Sequence, residues 1–154
     1  MAGRIEQRLK ELGITLPTPA APIANYVPYV VTGKLVVISG QIPLRDGAVA
    51  FAGKVSVDVT PEQARDAARL CFVNLLAQFK AATGDLDRVT RVVRLGGFIA
   101  APAAFTQHAA VMNGASDLAV EVFGDAGRHA RSTIGVPSLP ADAAVEVEGM
   151  FEIG

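Results

Sequence analysis

Apolar residues along this chain alternate between a period near 3.6 and a period of two, and the switches mark out its elements. Ile5, Leu9 and Leu12 recur at i, i+4 and i+7 among Glu6, Arg8, Lys10 and Glu11, which predicts a short amphipathic helix from Arg4 to Leu12 that Gly13 stops. Leu16 to Asn25 contains Pro17, Pro19 and Pro22 and cannot pair regularly in a sheet, so it is expected to run as an extended arm over the surface and deliver Tyr26. Val27 to Val31 and Leu35 to Ser39, separated by Thr32-Gly33-Lys34, read as a hairpin, and a third strand is expected over Ala48 to Lys54 after the Asp46-Gly47 turn.

Thr60-Pro61-Glu62-Gln63 supplies an N-cap, a proline at the first helical position and a glutamine placed to complete a capping box. The helix that starts there keeps Ala64, Ala67, Ala68, Cys71, Leu75, Phe79 and Ala82 on one stripe until Gly84. A Val-rich strand is expected over Arg88 to Ala100. Pro102 is expected to open a second long helix, running to about Val122 with Phe105, Ala109, Met112 and Leu118 inward, before Gly124 to Gly127 breaks it. Ser132 to Val136, a turn over Pro137 to Pro140, and Ala144 to Ile153 complete the pattern. In the last segment Val145, Val147, Phe151 and Ile153 alternate with Glu146, Glu148 and Glu152. This order of elements predicts an α+β fold with the helices on one side of a mixed sheet. Residues 1–25 are expected to form a helix and arm, and residues 26–154 one domain.

With 154 residues and 51% of them apolar, the chain can build one real core and still leave apolar surface that a small core would not hide, which points to an oligomer. Fourteen basic and fifteen acidic residues give a formal net charge of -1, with no basic surplus to neutralise a nucleic acid backbone. One cysteine, Cys71, and two histidines make neither an internal disulfide nor a metal-ligand cluster, so no metal or cofactor is expected and a reducing cytoplasmic setting fits. Charges interrupt the apolar residues at the N-terminus and no apolar run approaches a membrane span, so a soluble protein without signal peptide is expected.

Arg131, at the start of a strand, has the chemistry to grip a carboxylate with two parallel charge-assisted hydrogen bonds; an isolated arginine would more often sit in a solvated ion pair. Glu146 follows the turn that reverses the chain, which is expected to bring it beside Arg131 on an adjacent strand, where a carboxylate can orient a water or move a proton. As part of an acidic strand face, Glu146 also fits simple solvation. Ser39-Gly40-Gln41-Ile42-Pro43 makes a small turn whose backbone can approach a ligand closely. Asn113-Gly114 is unfavourable inside a helix and calls for a packing or ligand contact, of which packing is favoured. His108 and His129 have no triad pattern around them, and Cys71 on an apolar stripe reads as core.

Taken together, Ser39-Gly40-Gln41-Ile42-Pro43, Arg131-Ser132-Thr133, Leu139-Pro140 and Val145-Glu146-Val147-Glu148 resemble the Rid/YjgF family of reactive intermediate deaminases, also called endoribonuclease L-PSP, from about Tyr26 to Ile153. The resemblance implies a chorismate-mutase-like fold and a barrel-like homotrimer with clefts between subunits. It further implies hydrolysis of 2-imino acids such as those derived from 2-aminoacrylate, yielding 2-keto acids and ammonia. In that reading Arg131 binds the substrate carboxylate and Glu146 positions water. Tyr26 and Asn113 fall where the family has cleft residues, Ser39 and Gly40 belong to the close-approach turn, and Thr133 stands where many members have cysteine. The departures at Asn25-Tyr26 and Thr133, with the added N-terminal helix, mark a longer subgroup. The implied partners are a small carboxylate-bearing imine or keto acid and two further copies of the chain, not nucleic acid or membrane. A non-catalytic trimer that binds small carboxylic acids or a regulatory protein is the competing reading.

Overall fold

A capping box starts the helix that organises the fold. In the computed structural model, which describes residues 3–154, Thr60 Oγ1 accepts from the Gln63 backbone N–H at 3.1 Å and Gln63 Oε1 accepts from that of Thr60 at 2.9 Å. Met1 and Ala2, the first residues of the expected arm, lie outside the described residues. In chain order the α-helices and strands begin with α1 (Arg4–Glu11), β1 (Tyr29–Thr32), β2 (Leu35–Gln41), β3 (Leu44–Arg45) and β4 (Ala48–Val49). They are followed by α2 (Pro61–Thr83), β5 (Val89–Ala100), α3 (His108–Phe123), β6 (Ala130–Val136) and β7 (Val145–Ile153). Gly84 ends α2 with φ 81°, a left-handed conformation that costs glycine nothing.

Five strands form a mixed sheet in the order β1-β2-β7-β5-β6. All neighbours are antiparallel except β5 and β6, which are joined through α3 and run parallel. Val145, Val147, Phe151 and Ile153 of β7 point to the helices, where Phe151 stacks on Phe79 and Phe72 at centroid distances of 5.3 and 6.3 Å. Truncating a buried aromatic of this kind costs about 3–5 kcal/mol. Among the described residues no helix covers the opposite face: Glu146, Glu148 and Met150 of β7 lie there with Val30, Val37 and Ile134, each of the last three more than a third exposed. That uncovered apolar and acidic face is the surplus surface that the composition anticipated.

Helix α1 docks through buried Ile5 and Leu9. The Asp87 carboxylate accepts from the Arg4 and Ile5 backbone N–H groups at 2.9 and 2.8 Å, and these bonds hold it below the usual carboxylate range. Between α1 and β1 the Pro-rich arm has no regular structure, and buried Gln78 of α2 holds it by donating to the Ala20 carbonyl at 2.8 Å.

Two elements differ from expectation. The strand expected over Ala48 to Lys54 shrinks to Ala48–Val49, paired only with β3, because Asp58 Oδ2 accepts from the Lys54 N–H and the Lys54 carbonyl accepts from Val57, Asp58 and Val59, folding the chain into a tight turn. Pro102 opens a single turn rather than a helix: the Phe105 N–H donates to the Pro102 carbonyl, Phe105 stacks edge-on against His108 at 5.1 Å, and α3 starts at His108. Ala109, expected inward, is exposed, while Met112 and Leu118 are buried. Gly114 is packing-driven: a Cβ there would overlap the Arg65 carbonyl, so its absence lets α2 and α3 approach.

Candidate functional site

The candidate residues fall into two groups on opposite sides of the sheet. The first surrounds Glu146. A register shift in β2 between Ile38 and Gln41 lifts Ser39 and Gly40 out of the ladder. Ser39 Oγ donates to the Val27 carbonyl at 2.7 Å, and buried Asn74 of α2 donates to the Ile42 and Leu44 carbonyls at 3.1 and 3.2 Å, pinning the turn from behind. Gly40 is pressed against Glu146: a Cβ at that position would lie 2.6 Å from Oε1. Tyr26, Ser39, Gly40 and Glu146 line a cavity of about 390 Å³, otherwise walled mainly by the arm residues Ala20 to Ala24 and by Pro28, Ile42, Leu44 and Pro140. Burial in these apolar surroundings pushes the Glu146 carboxyl above its ordinary range, and the charge of Glu148 adds to the effect.

The second group surrounds Arg131. Its Nη1 donates to Asn113 Oδ1 at 2.8 Å and Ser116 Oγ at 3.0 Å, and its Nη2 donates to the Ala109 carbonyl at 3.2 Å. All three partners belong to α3, so the arginine is folded onto the helix side of edge strand β6. Thr133, two residues on and facing the same way, has a buried Oγ1 with no hydrogen-bond partner among the described residues. His129 completes the cluster, with Nε2 at 2.8 Å from Ser116 Oγ and Nδ1 at 2.6 Å from the Gly127 carbonyl.

Arg131 and Glu146 are not neighbours on adjacent strands, contrary to the sequence-based expectation, because β5 lies between β6 and β7. Arg131 is level with Leu95 and Leu95 with Gly149, three residues along β7 from Glu146. Strand spacings of about 4.8 Å and a rise of about 3.3 Å per residue put their Cα atoms roughly 14 Å apart. Their side chains also leave opposite faces. The chain reversal after β6 suggested a hairpin, but β7 returns to the centre of the sheet and β6 stays at its edge.

Asn74, Gln78, Ser116 and His129 did not emerge from the sequence as site residues. Asn74 and Gln78 carry a visible signal, two polar residues at i and i+4 within an apolar helix stripe. His129 carries none, since its partners lie on another element and in a turn. His108 stacks on Phe105 outside both groups. Cys71 is fully buried, and burial holds its thiol well above the usual range, as a core residue requires. Among the described residues, no three His, Cys, Asp or Glu side chains gather as a metal site, and no helix is long and apolar enough to cross a membrane.

A mixed sheet with helices on one face, an arginine-centred cluster on its edge strand and a glutamate pressed against a glycine turn define the class. The chain belongs to the YjgF/chorismate mutase-like family, whose model, described also by an endoribonuclease label, matches residues 6–152. It is 45% identical to Protein TCP17 of Trypanosoma cruzi over 99% of this chain and 96% of that one. Among solved structures, the Atu1372 protein of Agrobacterium tumefaciens is 48% identical with a TM-score of 0.91, covering 97% of this chain and 92% of its own. E. coli TdcF with bound serine is 25% identical with a TM-score of 0.64, covering 89% and 94%.

Proposed function

We propose that this chain is an enamine/imine deaminase that hydrolyses 2-imino acids of the 2-aminoacrylate type to 2-keto acids and ammonia, at sites completed between the subunits of a homotrimer. The observation that carries the reading is the division of the site into two half-sites of complementary chemistry. Three of the five guanidinium N–H groups of Arg131 are engaged by α3, which leaves two for a carboxylate near the Thr133 hydroxyl, which has no partner among the described residues. Glu146 offers a partly desolvated carboxylate on the other side of the sheet, roughly 14 Å away. A small imino acid cannot span that distance, so the Arg131 edge of one copy has to meet the Glu146 pocket of another. The uncovered face with Val30, Val37 and Ile134 supplies apolar surface for such an assembly.

In this site Arg131 would hold the substrate carboxylate and set the C=N carbon opposite Glu146. The Glu146 carboxylate, made a stronger base by its upward-shifted pKa, accepts a proton from water as the oxygen bonds to that carbon, and the C=N π electrons move to nitrogen. Glu146 returns that proton to nitrogen to give a carbinolamine, then moves the hydroxyl proton to the same nitrogen as the C–N bond breaks and C=O forms, releasing ammonia and the keto acid. The serine bound by TdcF supports a small carboxylate ligand for this architecture. A cytoplasmic setting accompanies the reading, in keeping with the free thiol of Cys71. A net charge of -1 favours the imine reading over RNA cleavage.

The test is the rate of ammonia and pyruvate release from 2-aminoacrylate generated in situ. Acceleration by the wild type that Arg131→Ala abolishes, with the trimer intact, supports the proposal. A folded wild type that binds pyruvate without accelerating the reaction favours the alternative, a non-catalytic binder of small carboxylic acids.

A further inference from the structure

We propose that Ser116 and the neutral Nδ1–H tautomer of His129 are positioning residues that lock the Arg131 guanidinium for a carboxylate; this rests on the role given to Arg131 above. The hydrogen-bond directions follow from one fixed point. The Gly127 carbonyl can only accept, so His129 Nδ1, 2.6 Å away, carries a proton. Ser116 Oγ accepts from Arg131 Nη1 at 3.0 Å, and its single proton is assigned to His129 Nε2 at 2.8 Å, the direction that a half-buried imidazole resisting protonation requires. In this assignment the imidazole is neutral and a serine lone pair is aimed at the arginine. With Asn113 and the Ala109 carbonyl, this chain occupies both Nη1 protons and one on Nη2, leaving Nε–H and the second Nη2 proton for the ligand.

The surroundings agree with that assignment. His129 is half-buried and resists protonation, chiefly through burial and additionally through the positive charge of Arg131, against the opposing pull of the Gly127 carbonyl. Other charges near its elements are committed elsewhere: Asp117 of α3 pairs with Arg65 at 2.7 Å, and Asp125 with Arg128 at 3.6 Å on the exposed turn. Arg131 is thus the charge coupled to His129.

The experiment uses the intact oligomer with 2-oxobutanoate as ligand. The His129 Nδ1–H tautomer should be seen by ¹H–¹⁵N NMR at pH 7, both free and when 2-oxobutanoate saturates the protein. Ser116→Ala should raise the Kd for 2-oxobutanoate and the KM for imine about 5-fold to 10-fold, the worth of one hydrogen bond. It should leave kcat within about 2-fold, since the arginine grips bound substrate and transition state alike, and Ser116→Thr, which keeps the hydroxyl, should restore most of the affinity. A merely structural serine would lower Tm and kcat along with affinity. An Nε2–H tautomer, or Ser116→Ala with wild-type Kd, would overturn the inference while leaving Arg131 as the anchor. Wild type that binds no 2-oxobutanoate would overturn both.

Discussion

Replacing Gly40 by alanine should separate catalysis from stability. Gly40 does not adopt a positive φ, so its backbone accepts alanine, but the new methyl would lie 2.6 Å from Glu146 Oε1, 2.9 Å from Cδ and 3.1 Å from Cγ. Ordinary contact begins near 3.4 Å, so the carboxyl has to retreat by about 3.4 - 2.6, or 0.8 Å. The obstacle is the end of a flexible, half-buried side chain rather than backbone. Moving it off its rotamer costs about 0.5–1.5 kcal/mol, which lowers Tm by a few degrees at most. Misplacing a reacting group by about 1 Å can cost on the order of 10²-fold in rate. The assay pairs ammonia release from 2-aminoacrylate with a thermal melt. Gly40→Ala should lose about 100-fold in kcat while remaining folded. A folded variant with wild-type kcat would refute the role of Glu146, and a variant lost through unfolding would refute the contact geometry.

Three further outcomes follow from the same structure. Because Glu148 adds to the upward shift of Glu146, Glu148→Gln should move the acid limb of the kcat/KM profile to lower pH; an unmoved limb would exclude Glu146 as its source. Glu146 holds its proton more tightly folded than unfolded, so its linkage contribution falls as pH rises from its ordinary range through its raised folded value. Glu146→Gln should therefore melt no lower than wild type at pH 7 while losing turnover, as differential scanning calorimetry can check. Gly114→Ala should destabilise the fold by about 1–3 kcal/mol in urea titration, because the methyl forces α2 and α3 apart.

Much of this architecture was legible because local chemistry decided it. The capping box at Thr60, the Gly84 stop and the strict alternation of β7 each need only neighbouring residues, and each stands where the sequence placed it. The segment from Gly53 to Val59 was not legible, because a side chain, Asp58, took over backbone donors that a strand would have paired. Arg131, Glu146, Tyr26, Ser39, Gly40, Asn113 and Thr133 could be singled out from motif and chemistry, but their partition could not. Strand order is set by long-range packing, and the insertion of β5 between β6 and β7 leaves no mark on either strand. The link from Arg131 to His129 through Ser116 was hidden for the same reason: it joins a helix, a turn and a strand only after α3 has docked.

The central claim, that a working site takes Arg131 from one copy and Glu146 from another, is tested most directly by subunit mixing. Arg131→Ala and Glu146→Gln should each be inactive alone. Co-assembled in equal amounts, they should recover about one quarter of wild-type turnover, since a cyclic assembly pairs an intact arginine edge with an intact glutamate pocket in about a quarter of its interfaces. Mixed oligomers that stay as inactive as either parent would contradict the account.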